Sequence, residues 1–288
     1  LGLSGILGLK IDVDTYQGMQ DGVPRLLDIL KNSGISATFY LSIGPDASGR
    51  AVLQLLKNPR FLKKMVKTRA ASLYGFKTAL YGTLLPSPMI ALSFPDIVRR
   101  IKAEGHEVQF HAWDHRRWQD ELSSKSEEWI RNWFQRGITG LESILGEKPT
   151  SFGAPAWLID DRVLAIAGGL GFEYLSCTRA VSPFIHEGIK LLEIPSDIPC
   201  FEEVGMEGGA QKILAALAGG GMHVLPVHAE VEGGIMADAF IGLLPAIKKM
   251  DYRFVRLRDM IPLIDKSRLP VRRFRLELLP GRSVPCAV

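Results

Sequence analysis

The chain opens with an apolar run, Ile6, Leu7, Leu9, Ile11 and Val13, that ends in two carboxylates, Asp12 and Asp14. This pattern predicts a strand over about residues 6–14. A helix is predicted over Val23 to Lys31, closed by Asn32-Ser33-Gly34, and a second strand over 37–43. Further along, the pattern predicts helices over 96–103 and 127–145, each stopped by a glycine, with a strand from His106 to Phe110 between them that delivers His111. Residues 151–157 read as strand and loop, 161–167 as helix, and 174–177 and 191–194 as short strands. A helix over 210–217, a strand over 224–228, a helix over 240–250 and a strand over 253–257 complete the series. The tail from Lys266 onward is basic and broken by prolines, and is expected to run over the surface. Strands and helices that alternate with short connections imply parallel strands, in an α/β barrel or a doubly wound sheet. A chain of 288 residues fits one large barrel-type domain or two small ones.

One segment interrupts this alternation. Between Asp46 and Asp96 there is no acidic residue, while Arg50, Lys57, Arg60, Lys63, Lys64, Lys67, Arg69 and Lys77 are basic and interleaved with large apolar side chains. The segment at about 50–90 is expected to be an insertion with its own helices. A basic amphipathic stretch of this kind suits an anionic membrane surface, or equally a solvated helix packed on the barrel. No aromatic-rich nucleic-acid motif accompanies the charge, so a nucleic-acid partner is not expected. Hydrophobic residues make up 47% and charged residues 23%, as in ordinary globular proteins. The three cysteines, Cys177, Cys200 and Cys286, are too few and scattered for a disulfide framework. No run reaches the roughly 18 apolar residues of a transmembrane helix. The apolar start, Leu1 to Leu9, lacks a basic region and does not read as a signal peptide.

The chemistry concentrates at three places. Asp12 and Asp14 close the first strand, where α/β proteins build sites. His111-Ala-Trp-Asp-His115 spaces two imidazoles at i and i+4, which share a face if the segment is helical. His228 closes a late strand. Asp14, His111 and His115 make a three-ligand set for one divalent metal ion, with Zn²⁺, Co²⁺, Mn²⁺ and Fe²⁺ all suited to it. Asp12 is then available as a general base and His228 as a general acid, the inventory for metal-assisted amide hydrolysis. Pro155 and Trp157 are candidates for an apolar wall, and Asp114 for orienting an imidazole. Plainer readings stand beside these: a core histidine for His228, a core tryptophan for Trp157, a helix-surface acid for Asp114. No Gly-x-Ser-x-Gly and no phosphate-cradling loop is present.

These motifs resemble those of the polysaccharide deacetylase family (carbohydrate esterase family four). The resemblance implies a distorted (β/α)7 barrel as a single catalytic domain over 1–288, with the basic helical insertion at about 50–90. It places the base on Asp12, the metal on Asp14, His111 and His115, and the acid on His228. Gly8-Leu-Lys-Ile-Asp-Val-Asp-Thr15, Gly22-Val-Pro-Arg-Leu-Leu27, Gly44-Pro-Asp46, Ala70-Ala-Ser-Leu-Tyr-Gly75 and His228-Ala-Glu-Val-Glu-Gly233 are similar to members that deformylate an amino sugar carried on undecaprenyl phosphate. That similarity implies a lipid-linked amino-sugar substrate in lipid A modification and a cytoplasmic protein peripheral on the inner membrane through 50–77. Deacetylation of a lipid-linked N-acetylhexosamine is an alternative, and a non-catalytic membrane-associated binding module is another. The chain departs from the family where its third motif carries an arginine, reading Gly153-Ala-Pro-Ala-Trp157, and where its fourth carries an acid, reading Ser176-Cys-Thr-Arg179. Arg179 is expected to supply the missing positive charge or to bind the substrate phosphate, unless it is an exposed arginine paired with nothing.

Overall fold

A computed structural model describes residues 5–50, 81–282 and 284–288. Most of the basic insertion, including the Ala70 to Gly75 block, lies outside the described residues. Strand β1 (Gly5–Val13) is the hub. Along one edge it pairs in parallel with β8 (Gly221–His228). Along the other it pairs with β2 (Thr38–Ser42) at its C-terminal half and with β9 (Tyr252–Val255) at its N-terminal half. From β2 the sheet continues through β3 (Glu107–Ala112), β4 (Ser151–Phe152), β5 (Tyr174–Leu175) and β7 (Leu192–Glu193), all parallel. Seven parallel strands, from β8 to β7, thus form the curled α/β wall that the motifs imply. Beyond them β6 (Phe184–His186) adds antiparallel to β7, and β10 (Val271–Arg272) adds to β6.

The first strand is almost wholly buried because both faces are covered, and its side chains sort by parity. Leu9, Ile11 and Val13 point to one face, while Lys10, Asp12 and Asp14 share the other. Helix α1 (Val23–Ser33) ends at Gly34 in the left-handed conformation, as the Asn-Ser-Gly signal implies. Helices α2 (Pro95–Ala103), α3 (His115–Glu121) and α4 (Glu127–Leu145) follow. Ser126 caps α4 and Gly146 closes it. Its buried stripe, Ile130, Trp133, Phe134, Gly137, Ile138, Leu141 and Ile144, packs on β3 and β4 through an aromatic cluster with Phe110, Trp118 and Phe152. Gly137 is required there, since a Cβ would sit 2.1 Å from the Phe110 ring.

Helices α5 (Asp161–Gly168), α6 (Phe201–Val204), α7 (Gly209–Ala216), α8 (Ala237–Lys249) and α9 (Leu257–Met260) complete the outer layer. Among the described residues no helix is long and apolar enough to cross a membrane. The tail from Lys266 runs over the surface as expected, and only its end turns inward. Strands β11 (Leu276–Glu277) and β12 (Cys286–Ala287) form a hairpin whose second strand is buried, and the backbone N–H of Arg179 donates to the Ala287 carbonyl at 2.7 Å. Charge and proline in the tail mask this return, because its anchor is main-chain pairing rather than an apolar run.

Candidate active site

The strand ends converge on Asp14, His111 and His115, whose ligand atoms lie within 4.8 Å of one another. The two histidines do not share a helix face. His111 is a strand residue of β3, His115 begins α3, and the intervening turn brings their rings to 5.2 Å. Asp114, the candidate for orienting an imidazole, instead caps α3 by accepting from the Arg117 N–H at 3.0 Å. The partner of His111 is the Gly153 carbonyl, 2.7 Å from Nδ1. A carbonyl can only accept, so neutral His111 carries its proton on Nδ1 and turns the lone pair of Nε2 toward Asp14 Oδ1 at 3.1 Å. Among the described residues that buried carboxylate oxygen has no hydrogen-bond donor, and Asp14 Oδ2 faces His115 Nε2 at 3.3 Å. Acceptors that face each other in a buried site fit a cation between them.

The charge states agree with this. Burial pushes Asp14 up, but His115, His111 and His228 together hold it well below the usual carboxylate range. Burial lowers His115 to about 4, the neutral form a ligand needs.

Asp12 and His228 are register partners on β1 and β8, so adjacent parallel strands set the candidate base beside the candidate acid. Both oxygens of Asp12 accept from the buried Lys10 ammonium at 2.5 Å. Burial alone would lower His228, yet Glu202, Cys200 and Asp14 carry it well above its ordinary value. Glu202 on α6 approaches His228 Nδ1 to 3.9 Å, and the backbone N–H of His228 donates to the Glu232 carboxylate at 2.7 Å. Burial raises Glu232 to about 7.

Pro155 and Trp157 form a buried turn that leaves β4. The Trp157 ring stands edge-on to His228 at 6.2 Å. Ala156 and Trp157 both have φ of 54°, left-handed for residues that carry a Cβ. Arg179 lies over the Trp157 ring at 4.8 Å and Arg282 at 4.7 Å. Glu203 joins them, at 2.6 Å from Arg179 and 3.3 Å from Arg282. Burial pushes Glu203 up, but Arg179 and then Arg282 hold it below the usual range. With 5% of its side chain exposed, Arg179 is a buried clamp and not a free arginine. The positive charge beside Asp12 comes from Lys10.

The sequence matches the polysaccharide deacetylase family over residues 11–175, more than half of the chain. The chain belongs to the polysaccharide deacetylase family. Enzymes of this polysaccharide deacetylase family are metal-dependent hydrolases of amide bonds, which supports a divalent ion in general. Among its relatives is the "Probable 4-deoxy-4-formamido-L-arabinose-phosphoundecaprenol deformylase ArnD" of Shewanella sediminis (strain HAW-EB3). The two are 36% identical over 265 residues, which cover 90% of this chain and 86% of the relative. The protein of the same name from Wigglesworthia glossinidia brevipalpis is 29% identical, over 92% and 96% of the two chains. A crystal structure from Mycobacterium smegmatis, assigned to the polysaccharide deacetylases, superposes with a TM-score of 0.68 at 20% identity and covers 96% of both chains. These relatives support removal of an N-acyl group from an amino sugar.

Three residues of this polysaccharide deacetylase site, Glu202, Glu203 and Arg282, lie outside the motif blocks, and two, Lys10 and Glu232, lie inside them without a pattern that singles them out for a role. Lys10 alone leaves a trace, as a charge inside an otherwise apolar strand.

Proposed function

We propose that the protein removes the formyl group from 4-deoxy-4-formamido-L-arabinose carried on undecaprenyl phosphate, in lipid A modification. The observation that carries the hydrolytic part is the Asp14–His111 pair, two acceptors at 3.1 Å with the imidazole proton spent on Gly153. The sugar and the acyl group rest on the two relatives named for that deformylation.

A divalent ion held by Asp14, His111 and His115 would supply Lewis acidity to the amide oxygen and the attacking water. Asp12 takes the proton of that water as its oxygen adds to the formyl carbon. His228, held protonated by its acidic neighbours, gives a proton to the sugar nitrogen as the C–N bond breaks. The products are a free amine and formate. The buried Trp157 ring, edge-on to His228 at 6.2 Å, would form an apolar wall on that side, with Pro155 in the same turn. The lipid-borne substrate makes the membrane surface the working place, with 50–77 as the segment in contact with it.

Mass spectrometry of two lipid-linked probes, N-formyl and N-acetyl, with added metal and with chelator, tests this reading. Loss of formyl alone, abolished by chelator, is expected. Loss of acetyl instead would keep the mechanism and change the substrate. No loss from either, in metal-loaded protein, would overturn the proposal.

A further inference from the structure

Lys10 has no part in the scheme above, yet its setting is unusual. Its side chain is completely inaccessible to solvent, in the middle of the central strand. An ammonium there is tolerated only if it is paired. Among the described residues its hydrogen bonds go to Asp12 alone, one to each carboxylate oxygen. Aromatic faces bracket it, Tyr40 at 4.8 Å and Trp157 at 5.5 Å. Gly153 leaves room for its stem, since a Cβ there would lie 2.8 Å from the Tyr40 ring and 3.1 Å from Lys10 Cε. The same glycine fixes His111 through its carbonyl. One small residue therefore serves both the metal-ligand side and the base.

A carboxylate at a strand end can turn about two side-chain torsions. A donor on each oxygen fixes the plane of the group. The carboxylate has about four lone-pair sites, so two remain to receive a proton. His228 sits opposite in register, so this plane also sets the angle between base and acid.

We propose that Lys10 is the positioning residue for Asp12: it holds the carboxylate, through both oxygens, in the orientation that takes the proton of the attacking water. This rests on the de-N-acylation reading above. It assigns Lys10 no contact with substrate.

The test compares Lys10→Met and Lys10→Arg with the wild-type enzyme, on the lipid probes and with Co²⁺ as a spectroscopic reporter. Lys10→Met is expected to lower kcat by about 100-fold, the usual effect of misplacing a reacting group by about 1 Å. KM should stay within about threefold, and the Co²⁺ absorption spectrum should keep its wild-type form. Lys10→Arg should return most of the activity, because it restores donors to both oxygens. Wild-type kcat in Lys10→Met overturns the proposal. So does a loss that Lys10→Arg fails to recover and that comes with a changed Co²⁺ spectrum. If Lys10→Met alone does not fold, the step is made in an Asp12→Asn background, where no buried charge is stranded. There it should lower the residual activity less than threefold, and a further 100-fold loss would show that Lys10 acts elsewhere. Wild-type protein that binds Co²⁺ but cleaves neither probe overturns the functional reading itself, and the inference falls with it.

Discussion

Asp12, Asp14, His111 and His228 stand at the ends of regular strands and His115 at the start of a helix, whereas Trp157, Arg179, Glu203 and Arg282 come from four separate segments, of which only the one-turn helix α6 that carries Glu203 is α-helical. The first set is positioned by register, as in the direct pairing of Asp12 with His228. The second is held by charge and stacking, in which one carboxylate grips two guanidiniums against an indole. Backbone hydrogen bonds repeat along a ladder, so register tolerates change in any one side chain. A buried ionic clamp has no such redundancy, and removing one partner strands the others. The two sides should therefore fail differently, the first in chemistry with the fold intact and the second in chemistry and stability together.

Asp14→Asn gives the largest expected effect. It should end stoichiometric binding of a divalent ion, read by calorimetry, and lower kcat by at least about 10³-fold, since a Lewis acid is worth several kcal/mol. The melting temperature without metal should hardly change. A large fall would mean that the carboxylate is structural, and the contrast between the two sides would be lost.

His228→Gln comes next, with kcat lower by about 10² to 10⁴-fold and metal binding retained. The pH profile adds a sign. The acid must be protonated and its pKa is raised above 6.5. Activity should then hold through neutral pH and fall as pH rises through that raised value. His228→Gln should abolish that alkaline limb, and a limb that persists would assign it to another group.

Glu203→Gln probes the second side. It leaves Arg179 and Arg282 buried without their anion, a loss of about 3 kcal/mol or more, read as a melting temperature lower by roughly 6 °C. Activity should fall about tenfold with it. Wild-type stability would show that the clamp holds nothing.

What the sequence reveals follows the same division. The strands, helices and barrel class are legible because burial on strands and helices imposes periods of 2 and 3.6. The clustering of Asp14, His111 and His115 is legible from their spacing, but the sequence pattern suggests a shared helix face where the chain uses a strand end and the start of a helix. Asp114 shows the limit: its type suits an orienting role and a cap equally, and only the backbone at residue 117 decides. Arg282 and Glu203 lie far from the motifs, and no spacing rule links them. Their partnership depends on where the tail returns, which the Arg179–Ala287 main-chain bond and the bonds from Arg282 to Glu203 and the Ala156 carbonyl together fix.

The smallest expected effect sharpens the comparison most. Ala156 precedes Trp157, and both are left-handed at φ 54°. A residue with a Cβ in that region costs about 1 kcal/mol or more, and glycine escapes the cost while gaining freedom in the unfolded chain. For Ala156→Gly the two nearly cancel, so the melting temperature should move by no more than about 1 °C, corresponding to about 0.5 kcal/mol. Activity should respond more. The strained turn aims the Trp157 ring between Arg179, Arg282 and His228, and glycine lets it wander. A fewfold drop in kcat at unchanged stability would show that the strain serves aim. Unchanged kcat would show that the arginines alone hold the ring, and the turn would then be a by-product of the clamp.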